Sequence, residues 1–453
     1  MRRYFEILKL VWPLALGMVN NAVMQFVDRA FLAKESLGSI EAILPASTLA
    51  WVFMGFFQSV VGYSGVFVSQ YHGAREEGKC RDSYRAGLSI ALVSGLVSLA
   101  LIPLGGWIFS LTAPSAEVVA KESAYYNVAI LGSVFLYGQM AAISFFTGRG
   151  RTRIVFWVNL LGNLLNVALD PLLIFGLDLN IPFFAFSSLH LSLPAFGIAG
   201  AAWATVFSQF VQFAVLLFIS RKSLFRRASS LLPDVSLFLR ILRFGIPSGA
   251  YEILNMLSFT IFVFVTGTIG DLEFAVSNAC FTINYLLFAP MIGVGIGVQT
   301  LVGQAIGRGE TAAAESDFHK TLTLGLGFIL VISALVLVFA RPILSLFVPD
   351  GVDAAEFHAL GFRLLTIMSG WLLFDAMDVI LSGALKGAGD TRFVFVWMFV
   401  CSFVVWMPMV FLVKYWTSDM VYLWITMIVY VLVISAGSFV RWRQGRWKRI
   451  RIR

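Results

Sequence analysis

Apolar stretches of about 20 residues recur along the whole chain, and they constrain the fold more than any other feature of the sequence. A stretch of that length, wound as an α-helix, crosses the hydrocarbon core of a lipid bilayer. Helices satisfy all their backbone hydrogen bonds internally, as that environment demands. Charged residues make up 13% of the chain, against roughly 25% in soluble domains. We therefore predict an integral membrane protein built from helices.

Twelve such stretches can be placed, which predicts an all-α protein with twelve transmembrane helices. The first stretch follows two arginines, as a signal peptide would, but it contains Asn20, Asn21 and Asp28 and lacks a clear small-residue cleavage site. It is therefore interpreted as a retained span. The predicted spans are residues 10–33, 43–70, 86–112, 124–147, 154–176, 195–220, 241–266, 274–302, 321–341, 360–384, 393–413 and 420–440.

The basic residues are distributed unequally between the two sides of this arrangement. Of the 33 Lys and Arg residues, 27 lie in the N-terminal segment, the C-terminal tail and every second loop, whereas 4 lie in the other loops. Such a bias marks the cytoplasmic side, so both termini are predicted to be cytoplasmic in a multi-pass protein of the cytoplasmic (inner) membrane. The net charge of +8 is accounted for by this topology and by contact with anionic lipid, so no nucleic-acid partner is expected.

The residues needed for catalysis inside the membrane are not found in the sequence. The three cysteines form no CxxC motif and have no histidine at metal-ligand spacing, and no histidine falls within a predicted span. A membrane-embedded enzyme would need a nucleophile with its base, or a set of metal ligands. We therefore predict a protein that is not an enzyme and has no cofactor.

Short motifs in the first half of the chain recur in the second half, in the same order. The pairs are "VWPLALG" around Pro13 with "FGIPSGA" around Pro247, "QYHGAR" from Gln70 with "QAIGRG" from Gln304, and "GRGRTR" from Gly148 with "GAGDTR" from Gly387, at offsets of 234, 234 and 239 residues. Six spans separate the members of each pair, so the two halves share one orientation in the membrane. We predict two pseudo-symmetric six-helix bundles: an N-lobe over residues 1–220, a cytoplasmic linker over 221–240 and a C-lobe over 241–453.

Four polar residues lie on one face of the fifth predicted span. Asn159, Asn163, Asn166 and Asp170 are spaced four, three and four residues apart, which places them on one narrow stripe of a helix. A carboxylate at the centre of a bilayer costs roughly 2.5–3.5 kcal/mol, so its presence indicates function. Carboxylate and amide oxygens suit Na⁺, and a buried carboxyl group also holds a proton. The alternative is that the amides bond across helices and serve only as structural contacts.

Other acids within the predicted spans also have polar neighbours at helical spacing, and the same two interpretations apply to them. These groups are Asn21, Gln25 and Asp28 in the first span, Glu252 and Asn255 in the seventh, and Asp375, Asp378 and Ser382 in the tenth. Each half of the chain therefore carries two polar stripes. We predict that they face a cavity between the lobes.

Several stretches resemble the multidrug and toxic compound extrusion (MATE) transporters, especially the bacterial NorM-like and DinF-like members. The matching stretches are "MQFVDRAFL", "FFTGRGRTR", "NLLGNLLNVALDPLLIFG", "GIAGAAWATVFSQ" and "DAMDVILSGALKGAGDTR". They extend over the whole chain and keep the order found in the family. The resemblance implies a MATE-like fold and a transport function.

The resemblance also implies roles for individual residues. A cation-coupling site in the N-lobe would consist of Asp28, Asn166, Asp170 and Thr205, and these oxygens would bind Na⁺ if the protein is Na⁺-coupled. Asp375 would be the C-lobe carboxylate, whereas Glu252 lies about one helical turn closer to the proline than the family glutamate does. The neighbouring polar groups are assigned to the same sites: Asn163 to the cation site, Asp378 and Asn255 to the C-lobe cavity, and Gln25 and Asn21 to substrate binding.

These features predict an H⁺- or Na⁺-coupled antiporter that exports amphipathic, often cationic compounds by alternating access. Its partners would be drug-like small molecules and the lipid bilayer, and it would act as a monomer. The alternative is a flippase for a lipid-linked saccharide. Such a protein would line its cavity with basic residues to meet the diphosphate, and here only Arg29 and Arg363 lie near spans.

Overall fold

The computed structural model is almost entirely helical. Eleven helices of the described residues are long and apolar enough to cross a membrane, or twelve when one bent pair is counted as a single span. The predicted all-α membrane fold is therefore confirmed. The structure describes residues 1–35, 37–112, 115–184, 187–225, 234–349, 351–450 and 452.

The described residues of the first half of the chain form eight helices that make six spans. They are α1 (Arg2–Glu35), α2 (Leu37–Gly62), α3 (Ser64–Gly73), α4 (Glu77–Leu99), α5 (Ile102–Thr112), α6 (Ala116–Gly148), α7 (Thr152–Ile174) and α8 (Ile198–Phe225). Helices α2 and α3 follow one another as one span. Helices α4 and α5 were predicted as an uninterrupted span but meet at an angle of 45°. The break arises because Pro103 has no N–H to bond the carbonyl of Leu99, at the end of α4.

The remaining six spans lie in the second half of the chain, as far as the structure describes it. Its helices are α9 (Val235–Thr266), α10 (Asp271–Gly307), α11 (Thr311–Val338), α12 (Ala340–Ser345), α13 (Ala354–Ala388), α14 (Thr391–Phe399), α15 (Met407–Trp416) and α16 (Met420–Arg443). A π-helical segment, Val400–Trp406, joins α14 to α15 within one span, and a 3-10 turn, Arg446–Arg449, follows α16. Residues 226–233 of the predicted linker lie outside the described residues.

Several helices are longer than the spans predicted for them. Helix α10 extends over Asp271–Gly307, where the sequence predicted 274–302, and α13 extends over Ala354–Ala388, where it predicted 360–384. Hydropathy detects only the segment that lies in hydrocarbon, whereas a helix continues into the polar interface until a cap or a glycine ends it. The end of α13 follows this rule, since Gly389 adopts a left-handed conformation with φ of 96°.

The connection between α7 and α8 contains the only strands among the described residues. Strand β1 (Leu177–Phe184) pairs antiparallel with β2 (Ser187–Leu193), with Leu177 opposite Leu193. Residues 177–194 lie between two predicted spans and were not predicted to form a hairpin. It lies at the end of the helix bundle opposite the Arg-rich loops.

Two large buried clusters show that the chain folds as two lobes. One consists of residues from Tyr251 to Trp447, and the other of residues from Ala46 to Ile241 together with Ile452 of the tail. The lobes meet where α1 and α3 pack on α10 and where α2 packs on α9.

The contact between the lobes is closest toward one end of the molecule. We call this the basic end: α1 begins there, α3, α6, α10 and α13 end there, and the Arg-rich segments lie there. A Cβ atom on Gly293 would lie 2.5 Å from the backbone nitrogen of Ala15, and one on Gly249 would lie 2.7 Å from the carbonyl oxygen of Phe56. Nearer the other end, Gln25 of α1 and Tyr285 of α10 are both exposed.

Candidate cation site

The polar stripe of α7 faces the interior of the N-lobe. Asn159, Asn163, Asn166 and Asp170 are all buried, as the spacing of the four residues predicts. Helix α1 packs against this face. The carboxyl groups of Asp28 and Asp170 come within hydrogen-bonding reach of each other across the two helices. A proton can therefore be shared between them.

Asn166 connects this pair of acids to a third helix. Its Nδ2 atom lies 3.5 Å from Asp170 Oδ1 and 3.4 Å from the hydroxyl oxygen of Thr205 on α8. The Thr205 hydroxyl donates its own proton to the carbonyl oxygen of Ala201, at 3.1 Å, so its oxygen is free to accept from the amide. The structure thus brings together Asp28, Asn166, Asp170 and Thr205.

Three oxygens of this cluster are buried and have no hydrogen-bond partner among the described residues. They are Asp28 Oδ1, Asn166 Oδ1 and Asp170 Oδ2. A buried polar atom without a partner is costly, and two carboxylates so close together repel each other when both are charged. A proton shared by the acid pair removes the repulsion and pairs the two carboxyl oxygens, whereas one Na⁺ held by these hard oxygen atoms also satisfies Asn166 Oδ1. The residues present therefore fit either coupling ion.

Asn163, one turn closer to the basic end, has a different environment. Its Nδ2 atom donates to Asn21 Oδ1 at 2.8 Å, which joins α7 to α1. The side-chain oxygen of Asn21, which the sequence analysis assigned to substrate, is thus already bonded within the lobe. This hydrogen bond between two amides on different helices is the contact expected if Asn163 serves a structural role.

Tyr125 of α6 was not identified from the sequence. Its side chain packs against a buried cluster that contains Leu32 of α1, Ile174 of α7 and Ile198 of α8, the three helices that carry the site. Tyr125 stands at the start of the fourth predicted span, where an isolated tyrosine is most simply explained by the membrane interface. No signal in the sequence relates it to the two acids.

The acids of the C-lobe do not form an equivalent cluster. Asp378 is buried and accepts a hydrogen bond from Ser438 Oγ of α16 at 2.9 Å, whereas Asp375 is half-buried. Asp378 is therefore hydrogen-bonded within its own lobe, three residues and about 60° around α13 from Asp375. That both acids face one cavity stays a prediction. Asn255 of α9 is exposed.

Glu252 has a cationic partner that the sequence analysis counted as a loop residue. Lys386 Nζ lies 3.4 Å from Glu252 Oε1 and 3.8 Å from the centre of the Tyr251 ring, and its side chain is only 11% exposed. The predicted span ended at residue 384, but α13 continues to Ala388 and holds Lys386 in its last turn. The spacing of Ser382 and Lys386, four residues apart, is the signal that places Lys386 on the same face as the acids of this helix.

A separate group at the basic end combines His72, Glu77 and Cys80, whose ligand atoms lie within 4.8 Å of one another. The spacing of these residues in the sequence did not predict a metal site, so their proximity was not expected. The Glu77 carboxylate, however, is bonded to His72 Nδ1 and to Arg149 Nη2, each at 2.7 Å. An ion-pair network accounts for the group without a metal.

Comparison with known proteins identifies the family. The MatE family model matches residues 13–172 and, separately, residues 247–412. The chain belongs to the MatE family. The two matches begin at Pro13 and Pro247, the prolines of the first predicted motif pair, so the internal repeat is confirmed. Members of this family are transporters, and the protein is a multi-pass membrane transporter, not an enzyme.

Curated relatives extend over nearly the whole chain. A probable multidrug resistance protein NorM of Thermotoga maritima is 24% identical over 449 residues, which cover 98% of this chain and 93% of the relative. The multidrug resistance protein PmpM of Pseudomonas aeruginosa is 25% identical over 410 residues, covering 88% and 81% of the two chains. The recognition of the chain as a NorM-like MATE transporter is confirmed.

Solved structures share the fold. A structure described as the outward-facing conformation of a multidrug resistance MATE family transporter of the MOP superfamily superposes with a TM-score of 0.84 at 18% identity, covering 98% of this chain and 96% of that one. A MOP superfamily transporter from Pyrococcus furiosus, described as having a binding pocket of reversed polarity, gives a TM-score of 0.83 at 18% identity, covering 99% and 97%.

Proposed function

We propose that the protein is a multidrug exporter in which the inward movement of H⁺ or Na⁺ drives the outward movement of amphipathic, often cationic compounds. The observation that carries this proposal is the set of three unpartnered buried oxygens on Asp28, Asn166 and Asp170. They need a cation or a proton, and they lie in a protein whose relatives are named multidrug resistance proteins.

The coupling follows from electrostatics. Two ionised carboxylates in one low-dielectric pocket repel each other, so the empty site favours an arrangement in which α1 and α7 are apart or hydrated. A bound proton or Na⁺ removes that repulsion and favours the packed arrangement. A few kcal/mol of difference between the two states is enough to reverse their populations. Binding of the ion and of the substrate can therefore stabilise opposite conformations.

The proposed orientation rests on the positive-inside rule. The basic end, with both termini, lies in the cytoplasm, and the protein resides in the cytoplasmic (inner) membrane as a monomer. The lobes are then closed toward the cytoplasm, and the exposed Gln25 lies on the outward side. Substrate would leave, and the coupling ion would enter, from that side.

The lipid-linked saccharide flippase is the less favoured alternative. A diphosphate would need unpaired basic groups in the space between the lobes. Lys386, the buried cation at this position, is engaged by Glu252 and by the ring of Tyr251. It is therefore not available to meet a diphosphate.

The test is drug efflux by vesicles with a pH gradient and a Na⁺ gradient imposed separately. Asp28→Asn and Asp170→Asn each remove one charge but keep the side-chain shape, so each variant should lose efflux driven by the ion gradient while remaining folded in the membrane. Asp271→Asn, at the exposed start of α10, is the matched control and should transport as the parent does. Uphill efflux by both Asp28→Asn and Asp170→Asn would place the coupling site elsewhere.

A further inference from the structure

The repeated motif that begins at Gln70 in one half and at Gln304 in the other supplies two equivalent contacts between the lobes. Gln70 of α3 donates from Nε2 to the carbonyl oxygen of Gly387, at 3.1 Å. Gln304 of α10 donates from Nε2 to the carbonyl oxygen of Gly148, at 2.9 Å. Gln70 and Gln304 correspond in the repeat, and so do Gly148 and Gly387. The two hydrogen bonds are therefore related by the pseudo-symmetry of the molecule, and both cross the lobe interface.

The glycines of the same motif let the two backbones approach. A Cβ atom built on Gly73 would lie 2.1 Å from the carbonyl oxygen of Gln304, and one built on Gly307 would lie 2.0 Å from the carbonyl oxygen of Gln70. Both clashes involve backbone atoms, which cannot rotate away as a side chain can. Any residue larger than glycine at either position would force the lobes apart at the basic end.

The acceptors of these hydrogen bonds are carbonyls at the ends of helices. Gly148 is the last residue of α6, and Gly387 lies in the last turn of α13. Carbonyls in a last turn have no partner within their own helix. The neighbouring carbonyl of Lys386 also accepts from the other lobe, through the Tyr63 hydroxyl at 2.9 Å. Each lobe thus caps a helix end of the other.

We propose that Gln70, Gly73, Gln304 and Gly307 form a reciprocal latch that holds the lobes together at the basic end. The latch opens once in each transport cycle. Because the two halves of the latch are equivalent, separation of the lobes breaks both hydrogen bonds and exposes the capped carbonyls together. The two glutamines are positioning residues that set the balance between the closed and open states. This inference rests on the alternating access of the proposed function.

The test measures separation of the lobes directly. Ser69 of α3 is buried, and a Cβ atom on Gly303 of the other lobe would lie 2.1 Å from its hydroxyl oxygen, so Ser69→Cys reports exposure of the interface. Labelling of this cysteine by a water-soluble maleimide is followed in purified full-length protein in lipid nanodiscs. Parent protein with its three buried native cysteines gives the background rate.

Replacing both glutamines by alanine should speed labelling of Ser69→Cys by roughly tenfold, since each hydrogen bond of ordinary strength contributes a factor of a few. The matched control is Gln212→Ala, which removes a buried glutamine bonded to Gln139 within one lobe and should leave the rate unchanged. The latch proposal would be overturned if the folded variant without both glutamines were labelled at the same rate as the protein that carries Ser69→Cys alone. Equal acceleration by Gln212→Ala would also overturn it.

A second perturbation acts through shape. Gly307→Ala should also speed labelling, because the added methyl group meets the backbone of Gln70. Gly327→Ala is the control, since a Cβ atom there has nothing within 4 Å. If Gly307→Ala leaves the labelling rate unchanged, the closed interface does not depend on the close approach of the Gly307 and Gln70 backbones, and the latch proposal is wrong. The readout uses neither ion nor substrate, so failure of the latch is distinguishable from failure of the coupling site.

Discussion

Two asparagines on one helix face show how partners decide the role of a residue. Asn163 and Asn166 are three residues apart on α7, and both are buried. Asn163 is bonded to Asn21, whereas the side-chain oxygen of Asn166 has no partner among the residues that the structure describes. Since an unpaired buried oxygen is costly, Asn166 is the one that gains from a bound cation.

Substitution of Thr205 tests whether the group around Asn166 binds the coupling ion. Thr205→Val keeps the shape of the side chain but removes the oxygen that accepts from Asn166. We expect the apparent affinity for the coupling ion to fall roughly threefold to tenfold, in line with one lost hydrogen bond, while the maximal efflux rate is retained. The measurement is the efflux rate as a function of Na⁺ concentration and of pH. Thr282→Val, whose exposed hydroxyl bonds only within its own helix, is the control. An unchanged ion dependence in Thr205→Val would exclude Thr205 from the site.

At the scale of elements, the site depends on the close packing of α7 and α8. A Cβ atom on Gly200, near the start of α8, would lie 2.3 Å from the carbonyl oxygen of Leu173 on α7. Leu173 stands three residues after Asp170, and Gly200 stands five residues before Thr205. The glycine therefore sets the separation at which Thr205 meets Asn166.

Gly200→Ala should push the two helices apart at this contact. We expect a loss of about 1–3 kcal/mol in stability, as is usual when extra volume is forced into a packed interface. The ion affinity should fall as well, because the contact between Asn166 and Thr205 lengthens. Thermal unfolding in detergent and ion-dependent efflux measure the two effects. Gly106→Ala, where a Cβ atom meets nothing within 4 Å, should change neither. If Gly200→Ala is destabilised but keeps normal ion affinity, the site does not depend on the close packing of α8 against α7.

At the scale of the whole molecule, an ion pair also joins the lobes at the basic end. Arg3 at the start of α1 donates from Nε to Asp317 Oδ1 of α11 at 2.7 Å, and its Nη2 atom pairs with the second carboxylate oxygen. Asp317 is 1% exposed, whereas the Arg3 side chain is 38% exposed. Without this pair the Asp317 carboxylate would be buried with no cationic partner, whereas the Arg3 guanidinium would still contact solvent.

Arg3→Gln should lower the stability of the protein by about 1–3 kcal/mol, because it leaves a buried carboxylate without its partner. This loss is smaller than that expected for a fully buried ion pair, because solvent near the partly exposed arginine screens the interaction. Adding Asp317→Asn to the same protein should restore most of the loss. The midpoint of thermal unfolding in detergent measures both. Arg2→Gln, which removes a side chain that is 96% exposed, should have little effect. If Asp317→Asn brings no recovery, the loss is not caused by the unpaired charge.

The sequence by itself determined the membrane class, the number of spans, the duplication and the polar face of α7. Each of these depends on local pattern: apolar length is set by the thickness of the bilayer, and the stripe of Asn166 and Asp170 is set by the period of the helix. The duplicated motifs also marked Gln70 and Gln304 without indicating what they contact.

Only the tertiary structure decided which polar groups meet. The sequence could not show that Asn163 is bonded to Asn21 while Asn166 keeps an unpaired oxygen, because the partner lies on another helix. It placed Lys386 in a loop, since hydropathy cannot follow a helix beyond the hydrocarbon. The hydrogen bonds of Gln70 and Gln304 join residues 317 and 156 positions apart in the chain. Contacts at such separations are set by how the two lobes pack, and no local pattern encodes that packing.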